Sequence, residues 1–163
     1  MANSSDQKLR KELLNYVKNA HTHANFSKAV ADFPEEFMNK KFSDEAPHTA
    51  WMILEHICIA THDMIDFIQN PNYVELEWPD DFWPSEKEKA DKNTWDESIT
   101  AFETDIGSLV EILEDPKNDL LAKIAWGDGQ TILRETLQII DHTSYHIGQL
   151  IMLRRVLGIW KET

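Results

Sequence analysis

The segment from Thr131 to Leu157 constrains this chain more than any other. Its apolar residues recur at helical spacing with no proline among them. With His142 as the origin of a helical wheel, Thr131, Glu135, Gln138, His146, Gln149 and Leu153 fall within about 40° of it. The other faces carry Ile132, Leu133, Leu137, Ile140, Ile147, Leu150, Ile151 and Met152. A helix this apolar is expected to be buried nearly all round. Its polar stripe then needs partners inside the protein, because an unpaired buried polar group costs about 1–3 kcal/mol. His142 and His146 project from one face, one turn apart, and two imidazoles at that spacing can bind a single metal ion.

The rest of the chain reads as helix too. There are only five glycines, and long stretches repeat apolar residues at helical period. A first helix is predicted from Asp6, as N-cap, through Leu9, Leu13, Val17 and Ala20 toward Val30. A second starts near Pro47 and stops at Asn70-Pro71-Asn72. An irregular stretch follows, from Tyr73 to about Asn93, and includes Trp78-Pro79-Asp80-Asp81-Phe82-Trp83-Pro84. Such a stretch is either a lid or binding loop, or a crossover whose aromatics pin it to the bundle. A third helix spans Thr94 to Glu114, with Trp95, Ile99, Phe102, Ile106, Leu109 and Leu113 at helical spacing, and Pro116 beyond its end. Leu120 to Trp126 is predicted as a short extended piece, and Trp126-Gly127-Asp128-Gly129 as a turn. The fourth helix runs from Thr131 to Leu157, with Gly158 as its C-terminal signal. The expected architecture is all-α, a four-helix bundle in one domain over residues 1–163, with a long crossover between helices two and three.

Charge and composition remove several classes of function. Twenty-nine acidic residues against sixteen basic ones leave a net charge of −13. A surface of that sign repels phosphate backbones and anionic lipid, so no nucleic-acid or membrane partner is expected. No apolar run reaches the length of a membrane span. The first residues lack the basic and apolar regions of a signal peptide. A single cysteine, Cys58, excludes an internal disulfide, and a cytoplasmic location is expected.

A third imidazole on another helix would complete a His₃ site with an open position, the pattern of catalytic metals. Helix two offers His48, His56 and His62. His56 shares its face with Thr49, Met52, Ile53, Ala60, Asp63 and Phe67, a mainly apolar face that packing turns inward. His62 falls beside Glu55 and Asp66 on a solvated stripe, and His48 lies near the same side at the helix start. His56 is therefore preferred to His48. His21 and His23 read as surface or turn residues. Asp63 lies two turns beyond His56, about 10 Å along the same face; it is a candidate catalytic base or a locally paired carboxylate. Gln149, one turn past His146, is placed to hydrogen-bond a ligand. Asp141 points away from the pair, and Cys58 falls opposite His56 as a structural thiol.

Other metal and nucleotide motifs are missing. A carboxylate-bridged di-iron site needs a pair of E-x-x-H motifs on facing helices, and the chain carries no such pair. Thr143 follows His142 where the metalloprotease helix requires Glu. There is no P-loop, G-x-G-x-x-G or G-x-S-x-G.

The residues Trp51-x-x-x-Glu55-His56-Ile57, together with Thr131 and His142-x-x-x-His146-x-Gly148-Gln149-Leu150, resemble the DinB/YfiT-like superfamily of helical-bundle metalloenzymes. Helix order and chain length agree, so the resemblance covers nearly the whole chain. It implies that His56, His142 and His146 hold a divalent metal, zinc or nickel. Relatives in that superfamily include S-transferases that use bacillithiol or mycothiol, and a thiol-dependent maleylpyruvate isomerase. The resemblance thus implies a thiol-dependent S-transferase acting on a small molecule, with a low-molecular-weight thiol as cofactor. The alternatives are a hydrolase using metal-activated water, with Asp63 as base, and a non-catalytic metal-binding interaction protein. A homodimer is also expected, because helix four is apolar on faces that one bundle core does not cover.

Overall fold

The computed structural model describes residues 4–18 and 24–161, and among them six α-helices and no named β-strand. They are α1 (Ser4–Lys18), α2 (Phe26–Val30), α3 (Glu35–Met38), α4 (Ala50–Gln69), α5 (Lys92–Glu114) and α6 (Ile132–Val156). The four long ones, α1, α4, α5 and α6, form a bundle. The long crossover joins α4 to α5 and includes a 3₁₀ turn at Asp80–Phe82. None of the described helices is long and apolar enough to cross a membrane.

Caps set the starts of the three longest helices. Thr49 Oγ1 accepts from Met52 N at 3.1 Å, Asp91 Oδ1 from Thr94 N at 2.8 Å, and Thr131 Oγ1 from Arg134 N at 3.1 Å. Each satisfies an amide that the first helical turn leaves free. At the far end of α6, Gly158 takes φ +71°, the left-handed conformation that closes a helix at low cost in glycine.

The first predicted helix is broken in the structure. Asp6 is not its cap but lies inside α1, with its carboxylate 2.8 Å from Arg10 Nε. Asn25 is extended, at φ −84° and ψ 175°, and its side chain caps a separate helix, α2. His21 and His23 lie outside the described residues. The piece from Leu120 to Trp126 is also corrected: it is a chain of turns held by a bridge between Lys123 and Thr131. Trp126 Nε1 ties it to Phe67 O at 2.7 Å. A Cβ on Gly127 would meet the tip of the Phe67 ring at 2.8 Å, so a larger residue here would have to push that ring aside.

The central helix is α4, with thirteen of its 20 residues buried. The expectation that the last helix is buried all round fails. In α6 Leu137, Tyr145, Met152 and Val156 are exposed, on a face interleaved with Arg134, Asp141 and Arg155. The polar stripe of α6 lies at the edge of its buried side, where Glu135 and His146 are buried, Gln138 is exposed, and His142 and His146 meet His56 of α4. Apolar side chains form two clusters along the bundle. One takes α4 as far as Cys58 and α6 from Ile147 onward. The other takes α4 from Ala60 and α6 up to Ile139. The histidines occupy the polar band between them.

Candidate metal centre

The antiparallel packing of α4 on α6 brings His56 against His142 and His146. Ring centroids are 4.8 Å apart for His56–His142, 4.6 Å for His56–His146 and 4.5 Å for His142–His146. One nitrogen from each ring lies within 4.8 Å of the other two. His56 is 2% exposed and His146 6% exposed, so the cluster sits inside the protein.

Hydrogen bonds decide which nitrogens face inward. His56 Nδ1 is 2.7 Å from Phe82 O, a pure acceptor, so it carries the proton and leaves a lone pair on Nε2. His146 Nδ1 donates to Gln149 Oε1 at 2.8 Å and does the same. His142 Nε2 approaches His56 Nε2 at 3.0 Å, while its Nδ1 is buried without a partner. Two nitrogens on one tetrahedral ion would lie about 3.3 Å apart at ordinary zinc–nitrogen lengths. The lone pairs of His56 and His146 and a nitrogen of His142 thus gather where one cation would take all three.

Electrostatics agree with the geometry. Burial, reinforced by the neighbouring imidazoles His146 and His56, holds His142 down to about 4. Burial also lowers His56 and His146 from the ordinary histidine value. All three are therefore neutral near pH 7, which is the form that binds metals. A divalent metal fits this donor set.

The crossover supplies a wall that the sequence did not assign. Trp83 lies flat on His56, with centroids 3.9 Å apart and planes 3° apart. His48 stacks on Trp83 at 3.9 Å and 13°. The signal was the aromatic density of residues 78–84, which in sequence suits a lid and a pinned connection equally well. Here the segment backs the histidines and also donates the Phe82 carbonyl. His48 stays out of the convergent group. His62 is exposed, with Nδ1 3.2 Å from both Asp105 carboxylate oxygens.

Asp63 is not in that group either. Tyr73 donates its hydroxyl to Asp63 Oδ1 at 2.8 Å, and burial raises the carboxyl. Glu135, two turns before His142, is buried and raised by burial and by the Asp63 charge. Neither the buried Glu135 nor Trp83 was singled out from the sequence as a functional residue. Asp141 is exposed. The Cys58 thiol is buried and donates to Ser98 O at 3.3 Å, and burial pushes its pKa up, consistent with a structural thiol.

A helical bundle with three inward imidazoles on its central pair of helices is compatible with a metal-binding protein. The chain belongs to the DinB family, whose model matches residues 1–162. Comparisons with curated proteins and with solved structures gave no match.

Proposed function

We propose that this protein is a metal-dependent enzyme in which His56, His142 and His146 hold one divalent ion, zinc or nickel. Its reaction is the transfer of a low-molecular-weight thiol to a small electrophile. The observation that carries this reading is the convergence of three imidazoles, two of them turned by outward bonds to Phe82 O and Gln149 Oε1 so that a lone pair faces inward. Three protein ligands leave a position open, as catalytic zinc sites do and structural ones do not.

When bound, a divalent ion supplies positive charge that lowers the pKa of a thiol beside it. The chain's own residues do the rest. Phe82 and Gln149 fix the tautomers and orientation of His56 and His146. Trp83 covers one face of His56 and keeps water from it. Burial holds the imidazoles neutral. The thiol sulfur forms a bond to the electrophilic carbon as the leaving group departs with its electron pair, and the thiol proton passes to solvent.

Mass spectrometry of metal-loaded protein with a panel of low-molecular-weight thiols and electrophilic acceptors tests the reaction. Adducts whose formation stops on chelation support it. An absence of metal-dependent conjugation across the panel removes the transferase. A homodimer through the last turns of α6 is part of the same reading, supported by the exposed Met152 and Val156, which lie about two and three turns beyond Tyr145. Light scattering at micromolar concentration should give twice the chain mass; the mass of one chain would refute the dimer.

A further inference from the structure

Two exposed aromatic rings stand against the histidine cluster, and neither is needed to hold it. Trp78, on the crossover, is 67% exposed, with its centroid 6.4 Å from that of His56. Tyr145, on α6, is 65% exposed and meets His146 edge-on at 4.9 Å and 86°. Both rings thus keep most of their surface in water, although apolar clusters lie on either side of the site.

Their placement differs from that of Trp83. Trp83 is partly buried and clamped between His48 and His56. Trp78 touches Phe82 at 5.4 Å and otherwise presents its ring to solvent. Tyr145 comes from the opposite element, adjacent in sequence to a candidate ligand. Each exposed ring thus borders one imidazole of the trio, Trp78 from the crossover beside His56 and Tyr145 from α6 beside His146.

From this placement we infer that Trp78 and Tyr145 form the substrate-binding rim and select reactants carrying a flat aromatic group next to the reacting atom. The inference rests on the metal and thiol reading above and names its substrate class. An aromatic group entering between them would make offset or edge-to-face ring contacts and cover indole and phenol surface now in water. The net charge of −13 argues further for a neutral aromatic reactant over an anionic one.

The test uses cobalt(II)-loaded protein titrated with benzyl mercaptan and with 2-mercaptoethanol. Binding is read from the thiolate-to-cobalt absorption band. Wild type should bind benzyl mercaptan about tenfold more tightly, the scale of one or two ring contacts. In Trp78→Ala and in Tyr145→Ala that ratio should fall toward unity at unchanged cobalt content, whereas Tyr145→Phe should keep it. Equal affinities in wild type, or a ratio that survives both alanine variants, overturns the inference and leaves the metal reading intact. Failure of both thiols to produce the band overturns the thiol reading, and the inference with it.

Discussion

Arg10 and the histidine trio are both polar groups buried between helices, and they differ in what they meet. Arg10 is 8% exposed, and its guanidinium donates to the carbonyls of Leu113, Asp115 and Asn118 and to the Asp6 carboxylate. Those carbonyls lie at and just beyond the C-terminal end of α5, where a helix leaves acceptors free and favours a cation. Arg10 finds its partners within the protein, and its role is to dock α1 on α5. The trio has the opposite character. His56 and His142 turn their Nε2 atoms toward each other at 3.0 Å, and His142 Nδ1 is buried without a partner. A buried polar cluster whose atoms all find partners in the fold is structural, whereas one that gathers three imidazoles and leaves a buried nitrogen unpartnered points to a ligand.

Substitutions should separate the two regions. The largest effect on stability is expected from Arg10→Met, which strands the carbonyls it serves. Chemical denaturation should show a loss of about 3 kcal/mol, as for removing one partner of a buried charged network, with metal content unchanged. Trp83→Ala should act on both properties. Losing the ring between His48 and His56 should cost about 2 kcal/mol of stability and also loosen the metal. Gln149→Leu should leave the fold intact and weaken metal affinity by about tenfold, read by competition with a chelator, because His146 loses its orienting acceptor. If Arg10→Met also emptied the metal site at a pH where it stays folded, the distinction between the regions would break down.

The smallest effect is a dependence on pH. Burial depresses the histidines in the folded state, so the unfolded chain binds more protons as pH falls. In metal-free protein their contribution to stability is complete above the ordinary histidine value of 6.5. It is lost as pH falls from there toward about 4, the position of His142. Thermal melts of the chelated protein across that window should show a falling midpoint, and His142→Gln should flatten the fall.

Periodicity and caps made much of this fold readable in the sequence. The last helix was placed to within a residue at each end because Thr131 caps it and Gly158 closes it. The wheel chose His56 over His48 and His62 because only its face was apolar enough to turn inward. What escaped depends on tertiary contacts. Asn25 interrupts the first helical pattern through a side-chain cap that apolar spacing does not reveal. The solvent face of α6 was hidden by Leu137, Tyr145, Met152 and Val156, apolar residues that remain exposed. Trp83 and the Phe82 carbonyl come from a crossover with no period, and only the folded chain brings them onto His56.

The central claim is that the convergent nitrogens of His56, His142 and His146 hold a metal. Its most direct test is elemental analysis of protein purified without a histidine tag, compared with His56→Ala and His142→Ala. Wild type should carry about one divalent ion per chain and folded variants almost none, as expected for a site that needs all three imidazoles. Equal metal content in wild type and both variants would contradict it.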